Sequence, residues 1–131
     1  MLVVDASCLA EVLVGGLAAG ATRARLAADT DQLAPAVVDA EVLGVIRRHH
    51  RLGTLDPTAA QLAVEDLRDW PGERFGHRHL LDRAWELRDR VRSWDALYVA
   101  LAESMGATLL TLDARLARVP ALECPIEVVG R

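Results

Sequence analysis

Four acidic residues that are far apart in the chain give the first indication of chemistry. They are Asp5, Glu41, Asp95 and Asp113. Each falls where an apolar, strand-like run ends or where a helical pattern begins. Because the carboxyl ends of the strands in an open α/β sheet border one crevice, we expect these four carboxylates to line a single pocket.

Carboxylates crowded into one pocket predict a bound divalent cation. They repel one another and take up protons unless a cation neutralises them. Oxygen ligands of this kind favour Mg²⁺ or Mn²⁺ over softer metals. Such an ion activates a bound water for attack on a phosphodiester and steadies the leaving oxygen. We predict a phosphodiester hydrolase in which Asp5 and Asp95 hold the metal directly, with Glu41 and Asp113 completing its shell.

The basic residues and the net charge exclude several other functions. All 15 Lys+Arg residues are arginine, which argues against P-loop enzymes and receiver-type phosphotransfer, since both rely on a lysine. A haloacid-dehalogenase-like phosphatase needs a second aspartate two residues after Asp5, where this chain has Ser7. The formal net charge of −4 argues against indiscriminate binding of nucleic acid, but it is compatible with a nuclease whose acids are concentrated in its site.

The elements that must position the acids alternate between strands and helices. A length of 131 residues suits one domain, which we expect to span residues 1–131. The alternation predicts an α/β fold of three layers, with a central, mostly parallel sheet and helices on both faces. Strands are predicted at 2–4, 32–34, around 74–75, at 108–112 and near 126–129. Helices are predicted at 7–13, 17–28, 37–52, 57–69, 80–91 and 93–105.

Local signals mark where several helices begin. Asp56-Pro57 is typical of a helix start, with Asp as the N-cap and Pro in the first turn. Ser7 and Ser93 are predicted to cap their helices in the same way. A cap at Ser93 puts Asp95 in the first helical turn, where the helix dipole favours a negative charge.

Four short motifs in order resemble the PIN domain family. They are VVDAS at 3–7, AEV at 40–42, WDALYVALAE at 94–103 and LLTLD at 109–113. The similarity covers essentially the whole chain and is closest to the VapC-type toxins of toxin–antitoxin pairs. It implies a PIN-like fold and a Mg²⁺- or Mn²⁺-dependent endoribonuclease, usually a homodimer, that is held inactive by a VapB-type antitoxin covering the acidic site.

The resemblance also assigns roles by position. Asp5, Glu41, Asp95 and Asp113 match the acidic quartet of the family, and Ser7 matches its supporting hydroxyl. Whether Asp113 binds metal directly or through water stays open, as does the number of ions. An inactive PIN-like module that only binds RNA or protein is the alternative function.

Other polar and aromatic residues have competing interpretations. Asp39 competes with Glu41 for the second acidic position. Most arginines between 74 and 92 alternate with acids, as on a solvated helix face, but Arg74 and Arg92 are candidates for RNA contacts. The three tryptophans are expected in core or dimer packing, and the four histidines at the surface or in capping roles. The chain starts without a secretory signal pattern, so we expect a cytoplasmic protein in which Cys8 and Cys124 are packed thiols.

Overall fold

Five short strands form one parallel sheet among the residues that the structure describes. The structure is a computed structural model, and it describes residues 1–130 apart from the side chain of Ser93. The strands are β1 (Leu2–Val4), β2 (Gln32–Pro35), β3 (Glu73–Phe75), β4 (Thr108–Thr111) and β5 (Ile126–Val128). Their order is β3-β2-β1-β4-β5, and every neighbouring pair is parallel.

Helices cover both faces of this sheet. They are α1 (Ala6–Val14), α2 (Ala19–Ala27), α3 (Val37–Arg51), α4 (Pro57–Asp69), α5 (Leu81–Glu86) and α6 (Ser93–Met105), with 3₁₀ turns at Arg78–Leu80 and Leu116–Arg118. Helix α1 contacts α2, α3 and α4, whereas α6 contacts α5 and the strands β1, β2 and β4. Right-handed connections that run in opposite directions along the sheet put the two groups on opposite faces. The predicted three-layer α/β fold is confirmed.

The order of the strands creates a crevice between β1 and β4. From β1 the chain runs outward to β2 and β3, and then returns to β4 on the other side of β1. The register pairs Val3 with Leu109 and Val4 with Leu110, and the Asp5 N–H donates to the Leu110 carbonyl at 3.0 Å. Ligand sites of such sheets lie where the chain direction reverses, outside the carboxyl ends of the strands. Asp5 and Asp113 follow the two strands that border this point.

The core consists of small and branched aliphatic side chains on the central strands and the adjoining helices. Val3, Val4, Leu109 and Leu110 are fully buried, as expected for strands covered on both faces. Helix α3 contributes one apolar stripe, at Val38, Val42 and Ile46. Helix α6 is buried continuously from residue 96 to residue 102, and therefore it runs through the core instead of along its surface.

One predicted helix start is confirmed by the structure, and one predicted helix end is wrong. The Asp56 cap is confirmed, because its Oδ1 accepts the Ala59 N–H at 2.8 Å. Helix α6 begins at Ser93 with Arg92 in the cap position, but the capping predicted for the Ser93 side chain lies outside the described residues. The helix predicted at 80–91 is wrong in its extent. It ends at Glu86, and the following turns still bury Leu87 and Val91, which keeps the apolar spacing that suggested a longer helix.

Among the described helices, none has both the length and the apolar character needed to cross a bilayer.

Because Leu109 is fully buried in the core, its replacement is expected to lower the stability of the protein. Leu109 is fully buried in β4, so Leu109→Ala should lower the free energy of unfolding by about 2–5 kcal/mol, through lost burial and a residual cavity. Leu62 in α4 is 53% exposed, and Leu62→Ala should change it by only about 0.5 kcal/mol. Urea denaturation of both variants checks this. Equal losses in the two would contradict the described core.

Candidate functional site

One pocket lies at the carboxyl ends of β1 and β4, in the crevice described above. Its lining residues come from both helical layers and both strand ends. They are Asp5, Ala6, Ser7, Glu41, Arg92, Trp94, Asp95 and Asp113. The structure thus brings together all four acids that the sequence singled out, and Ser7 with them.

Two hydroxyl groups hold the carboxylate of Asp5. Ser7 Oγ and Thr111 Oγ1 each donate to Asp5 Oδ2 at 2.7 Å. The same hydroxyls accept backbone N–H groups from the segment after β4, Ser7 from Leu112 at 3.2 Å and Thr111 from Asp113 at 3.0 Å. Asp5 is only 6% exposed. Burial raises the pKa of this carboxyl group, and the two hydroxyl hydrogen bonds oppose that increase.

The capping role predicted for Ser7 is wrong. Helix α1 begins at Ala6, so Ser7 lies inside its first turn and Asp5 takes the cap position. The Ser7 hydroxyl is donated to the Asp5 side chain instead of accepting a backbone N–H of its own helix.

The buried phenol of Tyr98 orients Glu41. Tyr98 Oη donates to Glu41 Oε1 at 2.9 Å, from a side chain that is fully buried in α6. Burial raises the pKa of Glu41, the Tyr98 hydrogen bond opposes this, and the charges of Asp5 and Asp95 raise it further. Burial and the adjacent Glu41 charge also raise the pKa of Tyr98, which keeps the phenol protonated as a donor.

The sequence patterns alone do not assign a role to Tyr98 or Thr111. Both lie within the quoted motifs, Tyr98 in WDALYVALAE and Thr111 in LLTLD. The available signal was a hydroxyl-bearing residue inside an otherwise apolar, buried run, because a buried polar group requires a partner.

Asp95 carries the clearest sign of crowded negative charge. The pKa of Asp95 is raised to about 6, chiefly by burial and further by the negative charges of Asp5 and Asp113. Arg92 and Arg115 oppose it without cancelling it. Asp5, Glu41 and Asp95 therefore form a cluster that the protein does not fully neutralise.

Asp113 differs from the other three acids because both of its carboxylate oxygens accept hydrogen bonds from an arginine side chain. Arg115 donates from Nε to Asp113 Oδ1 and from Nη2 to Oδ2, each at 3.0 Å, and its backbone N–H also reaches Oδ1 at 2.9 Å. The Arg115 hydrogen bonds lower the pKa of Asp113. In this arrangement, no three His, Cys, Asp or Glu side chains of the described residues are grouped closely enough to hold a metal ion.

The donor set nevertheless has the chemistry that a hard divalent cation requires. The four acidic side chains offer only oxygen atoms, and three of them have raised pKa values, so an added positive charge would stabilise their ionised forms. Asp5, Glu41 and Asp95 are the residues that could hold such an ion without first releasing an arginine.

Of the two arginines predicted to contact RNA, only Arg92 lines the pocket, where its side chain is exposed. Arg74 instead pairs with Asp39, from Nη2 to Oδ1 at 3.0 Å. Its remaining donors reach the backbone carbonyls of Leu67, Trp70 and Gly72. The geometry therefore gives Arg74 a structural role, and it also takes Asp39, the competitor of Glu41, away from the pocket.

The three tryptophans differ in their environments. Of the two predicted alternatives, core or dimer packing, core packing is ruled out for two tryptophans, because Trp85 is 68% exposed and Trp94 is 58% exposed. Trp70 is half-buried and donates its ring N–H to Gln32 at 3.0 Å.

Among the histidines, His77 Nε2 accepts the N–H of Val37 at the start of α3, at 3.1 Å, as expected for a capping role.

Comparison with known proteins identifies the class to which this fold and site belong. The family model described as "PIN domain" matches residues 2–122. The chain therefore belongs to the PIN domain family, and the resemblance inferred from its four motifs is confirmed.

Among individual proteins, the chain is similar to two curated proteins of Mycobacterium tuberculosis. It is 48% identical to Ribonuclease VapC3 over 118 residues, which is 89% of this chain and 85% of the relative. It is 36% identical to Ribonuclease VapC1 over 128 residues, 97% of this chain and 96% of the relative.

A solved structure shares the fold. It is the crystal structure of VapBC2 from Rickettsia felis bound to a DNA fragment from their promoter. The match has a TM-score of 0.68 at 14% sequence identity and covers 97% of each chain.

The raised pKa of Asp95 predicts a pH-dependent stability in metal-free protein. Its pKa is about 6 when folded, against an ordinary value of 3.8, so ionisation of Asp95 destabilises the fold as the pH rises through this interval. In EDTA, Asp95→Asn should therefore raise Tm at about pH 7.5, and the gain should shrink towards about pH 4.

Thermal unfolding at the two pH values measures this, and Asp82→Asn is the matched control. Asp82 is exposed in α5 and does not line the pocket, so its substitution should leave Tm unchanged at both pH values. A lower Tm for Asp95→Asn at neutral pH would contradict the described electrostatics.

Proposed function

We propose that this protein is a Mg²⁺- or Mn²⁺-dependent endoribonuclease and the toxin component of a VapBC-type pair. The observation that carries the proposal is the meeting of Asp5, Glu41, Asp95 and Asp113 in one pocket at the ends of β1 and β4. The names of its M. tuberculosis relatives, VapC3 and VapC1 ribonucleases, support RNA as the substrate.

The electrostatics of the pocket support the metal dependence. Asp5, Glu41 and Asp95 each have a raised pKa, and an ion in the pocket would stabilise all three in their charged form. When bound, Mg²⁺ or Mn²⁺ supplies an activated water and neutralises charge that develops on the phosphate.

Hydrogen bonds within the chain hold two of the proposed ligands, Asp5 and Glu41. The two hydroxyls that donate to Asp5 both use Oδ2, and neither bonds to Oδ1. Tyr98 fixes Glu41 through Oε1 in the same way. We assign direct metal contact to Asp5 and Asp95, with Glu41 completing the site.

Arg115 supports a different role for Asp113. Both oxygens of Asp113 accept from Arg115, so a water-mediated contact would let Asp113 tune the ion without breaking this pair. Arg92, exposed at the rim, is our candidate for a contact with an RNA phosphate.

The proposed partners follow from the relatives and the solved neighbour. The Rickettsia felis structure is a VapBC2 complex, which supports a VapB-type antitoxin as the partner of this chain. We also propose a homodimer, as the family resemblance implies, and a cytoplasmic location, as the sequence pattern at residues 1–5 led us to expect.

Replacing the metal ligands tests the activity. Asp5→Asn and Asp95→Asn should each reduce Mg²⁺-dependent RNA cleavage by at least about 100-fold, because the amide cannot supply the negative charge that holds the ion. Cleavage of cellular RNA, mapped by sequencing of the new ends, measures the loss. Asp82→Asn, exposed in α5, should cut like the wild type. Full activity in both site variants would contradict the assignment of Asp5 and Asp95 as metal ligands. Full activity in EDTA would contradict the proposed metal dependence.

Calorimetry separates the nuclease from a PIN-like module without catalytic activity. The wild type should bind Mn²⁺ and Asp5→Asn should lose that binding, since Asp5 lies at the centre of the proposed ligand set. An inactive module predicts no Mn²⁺ binding that depends on Asp5. Circular dichroism of the variant must match the wild type for the comparison to count.

A further inference from the structure

Trp94 forms an exposed aromatic edge of the acidic pocket. Its side chain is 58% exposed and lies in the first turn of α6, directly before Asp95. The other lining residues are charged, carry a hydroxyl or are alanine. A large ring left in solvent among charges suits a ligand that has both an aromatic face and polar groups.

The other two tryptophans are covered by an arginine of the chain itself. The Arg74 guanidinium lies 4.8 Å from the centroid of Trp70, and the Arg88 guanidinium lies 4.5 Å from that of Trp85. Within the part of the chain that the structure describes, Trp94 has neither a cation–π partner nor a hydrogen bond to its ring nitrogen. With 58% of Trp94 exposed, part of the ring is accessible to a stacking partner.

Arg92 lies beside this ring at the same pocket. It is exposed and lines the pocket together with Trp94, and no ion pair holds its guanidinium among the described residues. An aromatic face next to a guanidinium group matches the repeating unit of a nucleic-acid strand, in which a base alternates with a phosphate.

We propose that Trp94 stacks on a base of a single-stranded RNA segment at the acidic pocket, while Arg92 contacts a neighbouring phosphate. The inference rests on the proposed ribonuclease function and assigns Trp94 and Arg92 to the binding of an unpaired segment of the RNA. A duplex keeps its bases stacked on one another, whereas loops and single strands expose base faces to aromatic side chains.

The surroundings of Trp94 favour RNA over a second copy of this chain. Protein interfaces are depleted of charged residues at their buried centre. Here Trp94 shares its pocket with four acidic side chains and Arg92, and no second large apolar side chain lines it. A nucleotide leaves such charged groups partly solvated, which the buried centre of a dimer interface would not.

Cleavage kinetics of the full-length chain test the proposal. The substrate is an unpaired oligoribonucleotide that contains a mapped cleavage site, and the same oligomer annealed to its complement is the second substrate. Trp94→Ala should lower kcat/KM on the unpaired substrate by on the order of 10- to 100-fold, mostly through KM. Trp94→Phe should recover most of this loss, since it keeps an aromatic face. The annealed substrate should be cut poorly by all variants.

Matched controls separate stacking from loss of structure. Trp85→Ala removes a tryptophan that is 68% exposed and lies outside the pocket, and this variant should cut like the wild type. Mn²⁺ affinity should be unchanged in Trp94→Ala. Adding the unpaired oligomer should quench the tryptophan fluorescence of Trp85→Phe but not that of Trp94→Phe.

The outcomes distinguish this inference from the proposed function. Equal kcat/KM for Trp94→Ala and the wild type would overturn the stacking role and leave the nuclease intact. A loss that comes with a changed oligomeric mass in light scattering would overturn it in favour of a protein contact. If the wild type cuts no RNA, the proposed function fails, and the fluorescence titration alone then decides whether Trp94 binds an unpaired strand.

Discussion

The buried carboxylate of Asp5 is the constraint on which the rest of the site depends. A carboxylate that is 6% exposed is costly to ionise unless hydrogen bonds satisfy it. The fold meets this cost with Ser7 from α1 and Thr111 from β4, which donate to the same oxygen. Those hydroxyls also accept N–H groups of the segment after β4. The pairing of β1 with β4, the position of the loop after β4 and the orientation of Asp5 are thus one connected arrangement.

The unbalanced charge of the pocket links stability to the proposed activity. Burial raises the pKa of Asp5, Glu41 and Asp95, and the charge of Asp5 adds to the increase at Glu41 and Asp95, whereas Arg115 lowers the pKa of Asp113. A protein selected for stability alone would have fewer acids here, so the excess negative charge is what a cation site requires. The same excess keeps the site from attracting RNA phosphates by itself. In the proposed nuclease, a bound ion and Arg92 at the rim supply that attraction.

The pocket combines two kinds of residue that the fold supplies in different ways. The acids come from strand ends and helix faces that the parallel topology brings together, and such a crevice is a general property of doubly wound sheets. Arg92 and Trp94 come from the start of α6, at the rim, where the side chains are exposed and their replacement does not disturb the core. We therefore expect the inner acids to govern the chemistry and the rim to govern which RNA segment is accepted.

The sequence by itself determined the order of strands and helices, the Asp56 cap and the positions of the acids at element ends, because these depend on periodicity and neighbours a few residues apart. Only the tertiary structure decided that the hydroxyls of Tyr98 and Thr111 also hold the acids. The Tyr98–Glu41 and Thr111–Asp5 hydrogen bonds join residues 57 and 106 positions apart, and no local pattern encodes such contacts. The same reason explains why Arg74 turned out to be enclosed and Trp94 exposed. Exposure depends on what the rest of the fold packs against a side chain.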